Sequence, residues 1–330
     1  MTGADYGVCM ADILAARDRI AGIARRTPLK PSASLSRRLG KPVWLKMETM
    51  QDTGSFKIRG AANKILSLSE EARARGVVTA SSGNHGKAVA YLAHRLGLRA
   101  VICMSDLVPD GKVEAIRALG AEVVIHGTDQ DQASARAHDL AEADGLTFIS
   151  AFDDAYVIAG QGTVGLEILE ERREIDTLVV QVSGGGLMSG IALAARALRP
   201  DIRLIGVSTM TGAAMVESLR AGRIVPVEER PSLADALPGP IPPDNRHTVA
   251  ICRDLVDEIH QVSEQRIAQA MVHALTDEKL VLEGGGAAGI ALLLDRCADA
   301  FGDAVAVICS GDNVAIDKLI DLYRQQETAP

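Results

Sequence analysis

The sequence predicts an α/β protein whose parallel sheets are covered by helices on both faces. Three observations carry this. Short β-branched runs alternate with longer amphipathic stretches, the pattern of parallel strands joined by helical crossovers. The 330 residues are 47% hydrophobic and 24% charged, enough apolar material for a large core. Small polar or glycine-rich turns follow several strands, as at the C-terminal edge of open α/β sheets where ligands bind. Domains run to about 100–200 residues, so two domains or one large α/β domain are expected.

In chain order, Val43–Met47, Val77–Thr79, Ala100–Met104, Glu122–Ile125, Thr147–Ile149, Thr177–Gln181, Arg203–Val207 and Ala304–Ile308 read as buried strands. Asn84–Leu96, Gly111–Leu119, Gln130–Ala143, Tyr156–Glu171 and Leu187–Leu198 read as helices between them. The stretch Val225 to His247 holds six prolines. Proline fixes φ and removes a donor, so this stretch reads as a long excursion over the surface, of the kind that can border a site. No internal repeat or low-complexity tract is present.

Composition and missing motifs exclude several functions. Lys+Arg 35 against Asp+Glu 43 gives a net charge of −8, which argues against a nucleic-acid partner. No apolar run reaches the roughly 18 residues of a membrane span. Met1 to Met10 carries Asp5 and no basic segment, so no secretory signal is expected. Cys9, Cys103, Cys252, Cys297 and Cys309 are widely spaced without a C-x-x-C pair. Most of them read as small core residues, of a protein in the reducing cytoplasm. The seven histidines have no paired metal spacing, so no metal site is expected. Gly184 and Gly186 start a dinucleotide fingerprint, but Ser189 stands at its third position. Neither a P-loop nor a G-x-S-x-G elbow occurs.

Four motifs remain. In Thr53-Gly54-Ser55-Phe56-Lys57-Ile58-Arg59-Gly60-Ala61, a lysine precedes a helix-like stretch. The positive end of a helix and desolvation both depress a lysine pKa, making a neutral amine available for a Schiff base. A lone lysine at such a place would ordinarily be a solvated surface residue. Ser81-Ser82-Gly83-Asn84-His85-Gly86 joins a strand to a helix N-terminus, an anion cradle. An ordinary helix cap explains one of those residues but not the run. Ser183-Gly184-Gly185-Gly186-Leu187 lets main-chain N–H groups approach a phosphate at the next helix. Cys309-Ser310-Gly311-Asp312-Asn313 ends the last strand, where a cap would serve equally well. Together they suggest a phosphate-bearing aldehyde cofactor held by a lysine, which is pyridoxal phosphate.

In this order the four motifs resemble those of the fold-type II pyridoxal-phosphate enzymes, and within them the threonine dehydratase and serine racemase family, from about Asp12 to about Leu319. The resemblance implies a two-domain, tryptophan synthase β-like fold. Residues 1–75 and 153–330 would form a large cofactor-binding domain, and 76–152 a small mobile one. It implies that Lys57 forms the Schiff base and shuttles the α-proton, with Phe56 beside it. Asn84 would bond the cofactor's phenolic oxygen. Ser183, Gly184, Gly185, Gly186 and Leu187 would cradle the phosphate, and Ser310 would meet the pyridine nitrogen. Ser81, Ser82, Asn84 and His85 would receive the substrate carboxylate. Ser82 stands where the racemases keep a second proton-transfer group, and Glu283 matches a position near the ring. The partners implied are a small amino-acid substrate and a second copy in a homodimer.

Serine at position 310 has a chemical consequence. A hydroxyl does not hold the pyridine nitrogen protonated as a carboxylate would, so the ring is a weaker electron sink. Rapid loss of a β-leaving group is then favoured over transamination. β-Elimination of water from a threonine- or serine-like β-hydroxy amino acid, giving a 2-oxo acid and ammonia, is the expected reaction. A racemase using Lys57 and Ser82, a β-replacement enzyme, and a non-catalytic pyridoxal-phosphate-binding protein are the alternatives. The chain departs from the family pattern in three places. Ser183 replaces the first loop glycine. Ser208 and Ala214 stand where the serine racemases place acidic cation ligands, with Gly212 between them, so that cation site is expected to be lost. Ala234-Asp235-Ala236 and Glu283-Gly284-Gly285-Gly286-Ala287 also differ. These variants, Phe152-Asp153-Asp154 and Asp244-Asn245-Arg246 are most similar to the hydroxyectoine-utilisation dehydratases, which makes a hydroxyectoine-derived substrate plausible. Allosteric control by a branched amino acid is not expected.

Overall fold

The computed structural model describes residues 5–228 and 230–327; the first four residues of the stretch examined for a secretory signal lie outside it. Its strands form two sheets. The larger runs β1 (Leu29–Pro31), β2 (Val43–Met47), β10 (Val305–Cys309), β7 (Thr177–Gln181), β8 (Arg203–Thr209) and β9 (Glu258–Val262). Its neighbours are parallel except β1 and β2. The smaller runs β5 (Glu122–Ile125), β4 (Ala100–Met104), β3 (Val77–Ala80) and β6 (Thr147–Phe148), all parallel. The helices are α1 (Met10–Arg19), α2 (Ala33–Leu39), α3 (Lys57–Ser67), α4 (Glu70–Arg75), α5 (Asn84–Leu96), α6 (Asp110–Arg117) and α7 (Gln130–Asp144). They continue with α8 (Ala155–Glu171), α9 (Gly186–Leu198), α10 (Ala214–Ala221), α11 (Thr248–Leu255), α12 (Glu264–His273), α13 (Gly284–Asp295) and α14 (Ile316–Glu327).

The period of two in the central strands explains why they read as continuous apolar runs. Val305, Val307 and Cys309 of β10 join one core with Leu45 and Val179, under α12 and α13. Ala306 and Ile308 join the opposite core with Leu178 and Val180, under α8 and α9. Both faces are buried, so both are mainly apolar. β5 differs from the expectation of a buried strand: both its ends, Glu122 and Ile125, are exposed because it forms a sheet edge.

Glycines set the spacing of the helices that start at the site. A Cβ at Gly160 would come within 2.5 Å of Arg59 O, and one at Gly60 within 2.9 Å of a Val157 methyl, so α3 and α8 cross in close contact. Gly162 and Gly190 do the same for α8 and α9. The N-termini of α3 and α9 are thereby held in one rigid layer. The proline-rich stretch departs from the expected surface excursion. Its described residues form no helix or strand, yet Ala234, Leu237 and Ile241 are buried in the two cores of the larger sheet. Asp235, exposed between them, meets Lys112 of α6 at 3.2 Å.

Candidate active site

Lys57 is the first residue of α3. The loop before it turns at Gly54, whose φ of +70° only glycine adopts without strain. Main-chain bonds stitch that loop to the end of β10. Phe56 N–H donates to Ser310 O (3.1 Å), Asp312 N–H donates to Gly54 O (3.0 Å), and Ser55 bridges Gly311. Lys57 Nζ donates to Ala151 O at 2.7 Å and lies 5.3 Å from the centre of the Phe56 ring. Burial lowers its pKa to about 8, opposed by the Glu283 carboxylate.

Glu283 precedes α13, its N–H donating to Gly311 O at 3.2 Å. Only 6% of it is exposed, and burial pushes its pKa up to about 7, against the hydrogen bond from Asn84. Asn84 opens α5. Its Nδ2 donates to Glu283 Oε1 (2.6 Å) and its Oδ1 accepts from Asn313 Nδ2 (2.5 Å). Asn313 also donates to Thr53 O (3.0 Å) and accepts from Lys87 Nζ (2.6 Å). One polar chain therefore joins three of the four motifs.

The turn between β3 and α5 carries Ser81 and Ser82, both half-buried. Ser81 Oγ accepts from Gly83 N–H at 3.3 Å. His85 is buried, and its Nε2 lies 3.0 Å from Ile149 O. A carbonyl only accepts, so Nε2 carries the proton and Nδ1 is the bare, unpartnered nitrogen. Burial and the Lys57 charge lower the ring's pKa to about 3, which keeps it neutral. The imidazole has no free N–H for a carboxylate. What His85 offers an anion is its main-chain N–H in the first turn of α5.

Ser183–Leu187 follows β7 and runs into α9, with Gly185 at φ +89° as the residue before the helix. The first N–H groups of α9 have no intrahelical acceptor and form the positive end of its dipole. Walls on both sides explain the glycines. A Cβ at Gly184 would reach 2.5 Å from the Phe152 ring, and one at Gly186 would reach 2.8 Å from Phe152 Cα. A Cβ at Gly185 would meet Met215 at 2.7 Å, Thr248 at 3.0 Å and Cys252 at 3.2 Å. At these three positions the loop presents main-chain N–H groups and nothing else. Ser310, 5% exposed, ends β10 beside β7.

Lys57, Phe56, Asn84, Glu283 and Ser310 are thus brought together by a short chain of contacts through Ser310 O and Gly311 O. Ser183–Leu187 joins them through Ala151, which holds Lys57, and Phe152, which packs on the glycines. Sequence reasoning gave no site role to Ala151, Phe152, Lys87 or Asn313. The signal for the last was its place in the fourth motif; an accepting carbonyl such as Ala151 O leaves none. Of the positions read for a cation, Ser208 is buried with an unpartnered hydroxyl and Ala214 is buried in α10. Among the described residues no group of three or more His, Cys, Asp or Glu is placed to hold a metal ion. No described helix is long and apolar enough to cross a membrane. All five cysteines are free; Cys103, Cys252 and Cys309 are core residues, in line with the expectation for most of them, and Cys9 and Cys297 are exposed.

A lysine amine depressed toward neutrality, a cradle of main-chain N–H groups at a helix start, and a hydroxyl at the end of the neighbouring strand define a site for a phosphorylated aldehyde. Residues 20–311 match the family described as pyridoxal-phosphate dependent enzyme, and the chain belongs to it. A Sinorhizobium fredii protein, provisionally named a threonine dehydratase, is 50% identical over 299 residues, 91% of this chain and 90% of its own length. The L-threonine ammonia-lyase of Thermotoga maritima is 42% identical over 317 residues, 95% of this chain and 78% of its own. The structure of maize serine racemase superposes with a TM-score of 0.89 at 35% identity, covering 97% of this chain and 98% of that one. The fold is accordingly that of the fold-type II pyridoxal-phosphate enzymes. The donor set fits the cofactor: Lys57 for the aldehyde, the Ser183–Leu187 loop for the phosphate.

Proposed function

We propose that the protein is a pyridoxal-phosphate-dependent ammonia-lyase that eliminates water from a β-hydroxy amino acid and releases a 2-oxo acid and ammonia. The observation that carries this is Lys57, whose pKa of about 8 leaves about a tenth of its amine neutral at pH 7, beside a serine rather than a carboxylate just after β10. Relatives named threonine dehydratase or L-threonine ammonia-lyase at 42–50% identity support it. When bound, pyridoxal phosphate supplies the carbonyl that captures the amine and the ring that withdraws electrons from the substrate.

The chain's own groups do the rest. Lys57 Nζ would hold the cofactor's aldehyde and, as a free amine, would take the proton from the substrate Cα. The N-terminal turn of α5, with Ser81, Ser82, Asn84 and the main chain of His85, receives the substrate carboxylate at the helix's positive end. Asn84 would hold the cofactor's phenolic oxygen through its side-chain amide. Ser310 would give the pyridine nitrogen no strong proton donor, which favours loss of a β-leaving group over transamination. Glu283, about half protonated at pH 7, acts on Lys57 through its charge.

We propose a hydroxyectoine-derived amino acid as the natural substrate, since Ala236 and Gly284–Gly286 alter the substrate side. We also propose a cytoplasmic homodimer in which residues 76–152 move as a small domain. The four-stranded sheet within that span supports the last point. Polar side-chain contacts, among them Asn84–Glu283, Lys87–Asn313 and Lys112–Asp235, join it to the rest together with an apolar core in which Ile58, Ala61, Ala62 and Ile65 of α3 pack on Ala88, Val89 and Leu92 of α5.

The test is 2-oxo acid release from L-threonine, L-serine, threo-3-hydroxyaspartate and hydroxyectoine-derived amino acids. Release from any of them that disappears with Lys57→Ala supports the lyase. Silence on all, with appearance of the opposite enantiomer, replaces it by a racemase using Ser82. Turnover only of a hydroxyectoine-derived compound supports the substrate assignment; fast turnover of threonine or serine removes it.

A further inference from the structure

Two sequence features, Phe152-Asp153-Asp154 and Asp244-Asn245-Arg246, have no role in the chemistry above. They are 90 residues apart and they clasp each other. Helix α11 begins with His247 before it and has no cap from its own side chain there. The cap comes from Asp153. Its Oδ1 accepts from the N–H of His247 (3.0 Å) and of Thr248 (3.0 Å), and its Oδ2 from the N–H of Arg246 (2.7 Å). Asn245 closes the same turn, its Oδ1 accepting from Val249 N–H (3.1 Å) and its Nδ2 donating to Thr248 Oγ1 (2.8 Å).

The clasp sits behind the glycine loop. Phe152, next to Asp153, is the wall against Gly184 and Gly186. Thr248 and Cys252, both on α11, are the wall against Gly185, together with Met215. The two walls belong to segments far apart in the chain, and the Asp153 carboxylate ties them together. We propose that Asp153 is a positioning residue for phosphate binding: by capping α11 from across the loop, it sets the gap in which the Gly184–Gly186 main chain is held. A loop of glycines has no side chains to fix its own conformation, so the walls must fix it. Asp154, one residue on, provides the contrast. Its carboxylate caps α8 through Tyr156 and Val157 N–H and pairs with Lys64, and bonds neither wall; only its main-chain N–H meets Phe152 O (3.2 Å), a bond that Asp154→Ala keeps.

The inference rests on the reading that Ser183–Leu187 holds the cofactor's phosphate. The experiment separates the two. Affinities of cofactor-free protein for pyridoxal phosphate and for pyridoxal, which lacks the phosphate, are measured by absorbance for the parent, Asp153→Asn, Asp153→Ala and Asp154→Ala. The parent's preference for the phosphorylated aldehyde tests the loop reading; without a preference, that reading fails. Given a preference, Asp153→Ala should reduce it about tenfold or more. Asp153→Asn should reduce it less, because an amide keeps one acceptor oxygen for Oδ1's two donors but presents N–H to Arg246. Pyridoxal affinity should stay within about twofold. Asp154→Ala should lower the unfolding midpoint without changing the preference. A preference unchanged in both Asp153 variants, or lowered equally by Asp154→Ala, overturns the proposal. Should Asp153→Ala fail to fold, Asp153→Asn decides alone by the same criterion.

Discussion

Replacing Arg59 by methionine should destabilise the protein by about 3–5 kcal/mol, the range for breaking a buried ion pair by removing one partner. Arg59 lies two residues beyond Lys57 on α3 and is 1% exposed. Its guanidinium donates to both oxygens of Glu48 (2.7 and 2.8 Å), both oxygens of Glu167 (2.6 and 2.9 Å), Thr163 Oγ1 (3.0 Å) and Arg25 O (3.0 Å). Lys46 completes the cluster, 2.5 Å from Glu167. Two buried cations therefore face two buried carboxylates. Methionine keeps most of the apolar stem, so the lost term is charge: two carboxylates remain with one cation.

The assay is urea unfolding. With a slope of about 3 kcal/mol/M, a loss of about 4 kcal/mol lowers the midpoint by about 1.3 M. Adding Glu48→Gln to Arg59→Met restores a balance of one cation to one carboxylate and should recover at least half of that shift. The pH dependence gives an independent sign. Burial alone would raise the Glu48 pKa, but Arg59 outweighs it and holds it lowered. A carboxylate with a lowered folded pKa stabilises above its unfolded value, near 4.3, and that stability is lost as pH falls. Without Arg59, burial wins and the folded pKa rises above the unfolded one. The variant should then gain stability relative to the parent as pH falls from 7 toward 5. A midpoint within about 0.3 M of the parent, or a double variant worse than the single one, would refute the reasoning.

Three further outcomes are expected. At pH 8 about half of the Lys57 amine should be neutral, against about 0.3% for a lysine at its ordinary pKa, so condensation with pyridoxal phosphate should titrate near pH 8. Glu283→Gln removes the charge that opposes the lowering, so the midpoint should move down; an upward move contradicts the assignment. Gly184→Ala drives a Cβ into the Phe152 ring, and overpacking of about 1–3 kcal/mol should weaken pyridoxal phosphate binding roughly tenfold or more. Equilibrium dialysis reads this directly, and parental affinity would show that the loop has room. A chelator should leave turnover unchanged, because Ser208 and Ala214 supply no carboxylate; activity lost to chelator and restored by Mg²⁺ would place a cation site elsewhere in the chain.

Val43–Met47, Ala100–Met104, Glu122–Ile125 and Thr177–Gln181 were legible from their β-branched and apolar residues, and their bounds agree residue for residue, although Glu122 and Ile125 lie exposed at a sheet edge and Lys46 and Gln181 are buried polar residues inside the runs. β1 and β9 left no such trace. β1 is three residues with a terminal proline, and β9, Glu258–Val262, is half-buried at the sheet edge with His260 and Gln261 inside it. Motif residues were legible because their chemistry is local: a lysine before a helix, glycines before a helix, serines after a strand. What escaped is what distance supplies. The Ala151 carbonyl that holds Lys57 is invisible in a sequence, because every residue has one. The neutral state of His85 depends on a carbonyl 64 residues away, so only the fold decides that its main chain, not its ring, faces an anion. The proline-rich stretch was misread for the same reason: proline excludes helix and strand, but says nothing of whether Ala234, Leu237 and Ile241 find a core to enter. Local conformation follows from local sequence, whereas burial and protonation belong to whatever the chain brings alongside.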